Sequence, residues 1–199
     1  MRINIKNIAV ILGLLVSSTS CDNFLDVHPQ GEILGKDLLT DRKGFENAMY
    51  GVYATMRTPA LYGKNMSYYT LDIMAQYLAY NYYKNADVKK LFFDIWSGMY
   101  QNISYVNNVL INLEKQSPQS LELHDIYKGE ALGLRAFMHF DLLRLFTEQI
   151  TNDDTKGIVY STAFSVKPAD IISKKDVLHR IISELREAER LLDNQELYD

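Results

Sequence analysis

The chain holds one cysteine, one tryptophan and four prolines in 199 residues. A single thiol closes no intramolecular disulfide, and it cannot furnish a metal site built on two or four cysteines. No cluster of five or more lysines and arginines occurs, and the formal net charge is −4. Both features exclude nucleic acid, whose binders carry a basic stripe. Long apolar runs are missing too. The stretch Ile8–Val16, IAVILGLLV, spans nine residues, against about 20 for a helix that crosses a bilayer. No Gly-x-Ser-x-Gly, glycine-rich phosphate loop or His-Glu-x-x-His is present. His28, His124, His139 and His179 never recur at three or four residues, the spacing that sets two ligands on one helix face. Asn152-Asp153-Asp154 lacks the ligand spacing of an EF-hand. The reading is therefore a protein with no catalytic residues, no metal and no cofactor: not an enzyme.

What is abundant is tyrosine, with 14 against 8 phenylalanines. Tyrosine combines an apolar face with a polar tip, which suits the edges of amphipathic helices and contact surfaces. Overall, 47% hydrophobic and 23% charged residues are proportions of an ordinary globular domain.

The lone cysteine is placed informatively. Arg2 and Lys6 precede the short apolar run, and the small polar residues SSTS lead directly to Cys21. That order is a secretory signal, and a cysteine closing a small-residue run is the lipid acceptor of a bacterial lipobox. Ser18 stands where a lipobox prefers leucine. The expected organisation is a lipoprotein signal peptide over 1–20, a lipidated tether and leader over 21–40, and a helical domain over 41–199. Several acyl chains hold a protein stably at a membrane where one is marginal.

Hydrophobic periodicity predicts helices throughout. Phe45, Met49, Val52, Tyr53 and Met56 share a helix that Thr40 would cap and Thr58-Pro59 would stop. A second helix is predicted over 66–80 and a tyrosine-bearing loop over 81–87. A longer helix over 91–115 carries Trp96, Tyr100, Ile103, Asn107, Leu110 and Glu114 on one stripe. After the loop QSPQS at 116–120, a helix from His124 to Thr147 sets Ile126, Leu134, Phe137, Asp141 and Leu145 near one face. The short connection makes these two an antiparallel pair. Residues 151–172 read as a long loop with a short strand. Ser173-Lys174-Lys175-Asp176 then opens a capping-box-like helix presenting Leu178, Ile181, Leu185, Ala188 and Leu192. The fold class is all-α, built from antiparallel helix pairs with little or no sheet. Ala136 and Phe140 match the Ala-x3-Phe fragment of tetratricopeptide second helices.

Among the apolar residues of KGEALGLRAFMHFDLLRLF lie Glu130, Arg135, Asp141 and Arg144. Charges at that density of apolar neighbours need partners, which predicts an ion pair between helices. His139 reads as a partly buried polar contact. Gly133 interrupts the helix, which costs roughly 1 kcal/mol relative to alanine and suggests close helix approach.

Four segments together resemble the SusD/RagB-type outer-membrane lipoproteins. CDNFLDVHPQGE is similar to that family's Cys-x-x-Phe-Leu-Asp opening, and FENAMYGVYATMR to its next helix. IWSGMYQNISYVNNVLINLE and GEALGLRAFMHFDLLRLF resemble two further helices in the same order. The resemblance implies a tetratricopeptide-like helical scaffold. It also implies a surface protein, anchored through Cys21 in the outer membrane, that binds an oligosaccharide or other nutrient and delivers it to a TonB-dependent SusC-type transporter. Family members are longer, so the chain corresponds to an amino-terminal portion. Variable segments of the family contribute to the ligand site where this chain has YLAYNYYKNAD, so Tyr80, Asn81, Tyr82 and Tyr83 are the candidate ligand-binding residues. Trp96 falls in a family helix motif and reads as core. The alternative is a helical scaffold lipoprotein for protein–protein interaction with no small ligand of its own, or a non-functional fragment of one.

Overall fold

The computed structural model describes residues 38–69, 86–165, 167 and 169–193. Helix α1, Arg42–Met56, buries Phe45, Met49 and Val52, which recur at the spacing of one helical face. Its cap is Asp41 rather than Thr40: the Asp41 carboxylate accepts from the Gly44 amide at 2.8 Å. Asp41 has the extended backbone that an N-cap requires, and its oxygen reaches the third amide of the helix. After Arg57 the chain leaves helical geometry ahead of Pro59 and folds through a series of turns. Leu61 is buried there against Gly98. The start of the helix predicted over 66–80 is instead a π-helical turn, Asn65–Tyr69, with Met66 in the core. Residues 70–80 lie outside the described residues.

Helix α2, Ala86–Leu113, begins five residues before the predicted start and takes in Ala86 and Asp87 from the predicted loop. Ile95, Met99, Ile103, Val106, Leu110 and Leu113 form its buried stripe. Trp96 and Tyr100 sit beside that stripe, half-buried rather than within it. Glu114 falls past the helix end.

Helix α3, His124–Phe146, is entered through Leu123 in the left-handed region, φ 61 and ψ 19, without a side-chain cap. It runs antiparallel to α2. His124 meets the Leu113 carbonyl, Arg135 meets Asn107, and Met138 meets Asn102, so one helix number falls as the other rises. The burial of α3 departs from the predicted stripe. Tyr127, Ala131, Leu132, Ala136, Met138, Leu142 and Leu143 are buried, while Phe137 is exposed. The cause is that α1, α2 and α4 all pack on this helix, so no single face defines its core side.

Strands β1, Lys156–Val159, and β2, Ile171–Ser173, pair antiparallel with a register irregularity between Lys156 and Val159. One short strand is predicted and a two-stranded ribbon is found. Ser173 ends β2 and caps helix α4, Lys174–Leu192, by accepting from the Asp176 amide at 3.0 Å. Val177, Ile181, Ala188 and Leu191 form its buried stripe. Leu185, predicted to face inward, is 45% exposed. Helix α4 lies antiparallel to α3: Glu184 meets Arg135, and Leu191 and Leu192 meet Gly129.

Of the two glycines of α3, Gly129 is the one pressed closely against α4. A Cβ added there would stand 2.8 Å from Leu192 Cγ and 3.1 Å from Leu191 Cβ. At Gly133, the position singled out from sequence, the same atom would meet only Ala188 Cβ at an ordinary 3.7 Å. Ala136 is buried, whereas Phe140 is 43% exposed. Among the described residues, no helix is long and apolar enough to cross a membrane. The architecture is all-α, successive helices pairing antiparallel beside one small ribbon.

Candidate ligand-binding surface

Cys21 and the candidate residues Tyr80, Asn81, Tyr82 and Tyr83 lie outside the described residues. The described chain on the amino-terminal side ends on two exposed tyrosines of the π turn. Tyr68 is 62% and Tyr69 38% exposed, and Lys64 Nζ stands 4.1 Å over the Tyr69 ring. On the carboxy-terminal side α2 seats Val88 in the core.

The approach to this segment is tied to α3. Tyr62 donates its hydroxyl to Asp141 Oδ2 at 2.7 Å and stacks on Phe137 with ring centroids 5.4 Å apart. Asp141 is buried and also accepts from Arg144 Nε at 2.5 Å. Burial first, and then the Asp141 charge, pushes the Tyr62 phenol far above the ordinary tyrosine range. One carboxylate thus takes both a phenol and a guanidinium, which balances its charge in a dry position.

A second pair lies farther along the same face. Tyr53 on α1 donates to Glu130 Oε1 at 2.6 Å, and its phenol is also raised, by burial and then by Glu130. Glu130, Phe137, Asp141 and Arg144 follow one another at helical spacing, so they share a face of α3. Eleven residues from Glu130 to Asp141 span roughly 16 Å. Tyr50 continues the pattern one turn before Tyr53, with its hydroxyl on Glu46 Oε1 at 3.0 Å. Ring faces, phenols and carboxylates therefore alternate along α1, the following turns and α3. The exposed rings among them, Tyr50, Tyr53 and Phe137, offer stacking to the apolar face of a sugar ring, while the carboxylates are engaged by the phenols and Asp141 is buried.

The buried polar groups behind this face form a separate unit. Arg135 makes a bidentate pair with Glu184, Nε to Oε2 at 3.0 Å and Nη2 to Oε1 at 2.7 Å. Its Nη1 donates to Asn107 Oδ1 at 2.9 Å. The Asn107 amide nitrogen in turn donates to the Ser161 and Ala163 carbonyls at 3.1 and 3.2 Å. His139 is fully buried, not partly. Its Nε2 accepts the Ser161 amide at 3.0 Å, which leaves Nδ1 to donate to the Arg135 carbonyl at 2.9 Å. Tyr160 stacks on the imidazole at 4.0 Å. Burial lowers the His139 pKa to about 4, so the ring is neutral near pH 7. This network binds α2, α3, α4 and the segment after β1 into one body, and both its histidine nitrogens are committed to backbone.

The ion pair between helices anticipated from sequence is therefore Arg135 with Glu184, a residue the pattern of α4 did not single out. The structural weight of Asn107 was likewise hidden, because it sits where the stripe calls for an apolar side chain. Its one signal is an amide inside the apolar run YVNNVL. Tyr53 and Tyr62 carried none, since their carboxylates lie 77 and 79 residues away. Trp96 packs on Tyr100 and Phe146 at 4.9 and 5.0 Å. Among the described residues no group of three His, Cys, Asp or Glu side chains is placed to hold a metal ion.

Known proteins resemble the chain in sequence and in fold. At 20% identity over 205 residues the chain is similar to SusD-like protein P25 of Formosa agariphila, with 93% of this chain and 37% of that protein covered. The fold is similar, at TM-score 0.62 and 23% identity, to the crystal structure of a Bacteroides vulgatus protein proposed to bind sugar. That alignment covers 76% of this chain and 37% of the other. The chain thus spans 37% of the length of both relatives. Residues 23–198 match the SusD-like family described as starch-binding and associating with the outer membrane. With a match across nearly its whole length, the chain belongs to the SusD-like family.

Proposed function

We propose that this chain is the amino-terminal helical part of a surface lipoprotein that binds glycan and delivers it to a TonB-dependent SusC-type transporter. The observation that carries the reading is the family match over residues 23–198, a family described as starch-binding and associating with the outer membrane. The exposed aromatic rings of α1 and α3, Tyr50, Tyr53 and Phe137, support it, being faces on which sugar rings stack. In this reading Cys21 is the acylated anchor, residues 1–20 are removed, residues 21–40 form the tether, and 41–199 is the helical domain. Tyr80, Asn81, Tyr82 and Tyr83 contribute the ligand site. The protein captures and passes on its ligand without chemistry and without a cofactor.

Affinity electrophoresis of the protein through gels containing a panel of glycans tests the binding. Retardation by at least one glycan, weakened in Tyr80→Ala and Tyr82→Ala, is expected. Migration unchanged in every gel would sink the glycan reading. Transporter delivery is tested by co-purification from outer membranes, where a barrel-sized partner is expected. Acyl labelling tests the anchor, which Cys21→Ala should abolish together with membrane fractionation.

A further inference from the structure

The two buried histidines of α3 face different partners. His139 meets one carbonyl and one amide, which a neutral ring satisfies with a single hydrogen. His124 meets two oxygens: Nε2 stands 3.2 Å from the Leu113 carbonyl and Nδ1 stands 2.8 Å from Asp125 Oδ1. A carbonyl only accepts, and so does an ionised carboxylate. Both bonds together therefore need one proton more than a neutral ring beside an ionised carboxylate carries. Without it, two lone pairs face each other across the Nδ1–Oδ1 contact. That contact sits on a ring only 8% exposed, where water compensates little.

These bonds join two helix ends. Leu113 is the last residue of α2 and His124 the first of α3. The connection between them enters α3 through Leu123, at φ 61 and ψ 19, a left-handed backbone that residues with bulky side chains rarely adopt. No side chain caps the helix there. The connection is otherwise held by buried Leu121, by the Gln116 amide on the same Leu113 carbonyl at 3.0 Å, and by the exposed pair of Glu122 with Arg42 of α1. A strained entry kept in place by a contact that depends on a proton is a two-state element.

The charges around the ring favour the proton. Asp125 touches it, Glu114 lines the same cavity, and the carbonyl end of α2 is negative. Lys128 and Arg135 line that cavity too, but Arg135 is paired with Glu184 and Lys128 interacts with Glu187. From α4, Arg190 interacts with Asp125 and is itself paired with Glu187.

We propose that His124 is a proton-operated latch on the connection between α2 and α3. With the extra proton bound, the ring ties the last carbonyl of α2 to the first turn of α3 and keeps residues 114–123 closed. Loss of that proton to solvent breaks the Asp125 bond, and the connection opens locally at Leu123. The open form, with its ring in water, holds the proton less firmly than the closed one. Closure is therefore favoured as pH falls and opening as pH rises. The latch does not depend on the glycan reading.

Amide hydrogen exchange of the whole chain at about pH 5.5 and about pH 8.5, either side of the ordinary imidazole range, is the test. After correction for intrinsic rates, protection at Gln116, Leu121 and His124 should fall by about fivefold or more at the higher pH. Val177 and Ile181 on α4 should lose none, since His139 moves global stability in the opposite direction. Asp125→Asn offers an N–H to Nδ1, so a neutral ring keeps both bonds, and the pH dependence should vanish with protection retained. Imidazole nitrogen spectra should show both His124 nitrogens carrying hydrogen at the lower pH. Protection that does not fall with pH overturns the latch. So does an Asp125→Asn variant with the wild-type pH dependence, or a ring that carries one hydrogen while the connection is protected.

Discussion

Arg135 and Glu184 meet fork to fork, 49 residues apart in the chain, with Nε–Oε2 at 3.0 Å and Nη2–Oε1 at 2.7 Å. Both side chains are largely removed from water, at 10% and 15% exposure. Desolvating two charges costs about as much as their attraction returns, so the pair adds little net stability while its breakage is costly. Its evident contribution is registration: it fixes how α4 lies along α3 and, through Asn107, where the segment after β1 is held.

Glu184→Ala should therefore destabilise the protein by about 3–5 kcal/mol, because it leaves the guanidinium buried and unpaired. The double variant Arg135→Met with Glu184→Leu should lose clearly less than this single change. Guanidinium chloride unfolding of both, compared through their midpoints, checks the order. A double variant as damaged as Glu184→Ala would mean that the guanidinium matters through Asn107 more than through the ion pair.

The two glycines of α3 should respond with opposite signs. Gly133→Ala removes a helix-interior glycine at an ordinary contact distance, and a gain of about 0.5–1 kcal/mol is expected. Gly129→Ala places its methyl 2.8 Å from Leu192 Cγ and 3.1 Å from Leu191 Cβ. Overpacking of that kind costs about 1–3 kcal/mol and outweighs the helical gain. Thermal unfolding of the two variants side by side distinguishes them, and a stabilised Gly129→Ala would show that α4 yields freely.

His139 gives the fold a defined acid sensitivity. Its folded pKa of about 4 lies below the unfolded value near 6.5. Above pH 6.5 neither state binds the proton and nothing is lost. As pH falls toward 4 the unfolded chain takes up a proton that the folded one refuses, so stability drops by about 3 kcal/mol over that window. The direct check is the imidazole titration followed by NMR. Unfolding midpoints at pH 7 and pH 4.5 should differ more in the wild type than in His139→Gln. An imidazole titrating near 6.5 would show that Ser161 and Tyr160 do not enclose it.

Tyr62→Phe should keep the stacking on Phe137 and remove the phenol from Asp141. A hydrogen bond to a buried carboxylate is worth about 1.5–3 kcal/mol, and Arg144 retains part of the compensation. A loss of about 1–2 kcal/mol is expected. Hydrogen exchange should quicken mainly in the turns of residues 57–69, since this bond ties them to α3. Exchange that stays unchanged there would show that Leu61 and Met66 suffice to hold the segment.

What could be read from the sequence is local chemistry and order. Phe45, Met49 and Val52 announce α1, Pro59 its end, and Ser173 with Asp176 the start of α4, because each depends on neighbours within one or two turns. Asp41 took the cap from Thr40 within that same local rule. The four ordered segments likewise carried the family. The tertiary structure decided which faces are buried. On α3 the predicted stripe ran through Phe137 and Asp141, yet packing by three helices buries Arg135 and His139 along with Asp141 and leaves Phe137 exposed. It also chose Gly129 over Gly133 as the point of close approach, Glu184 as the partner of Arg135, and a neutral rather than a charged His139. All of these depend on atoms dozens of residues away, whose proximity follows from how the helices cross and not from the spacing within any one of them.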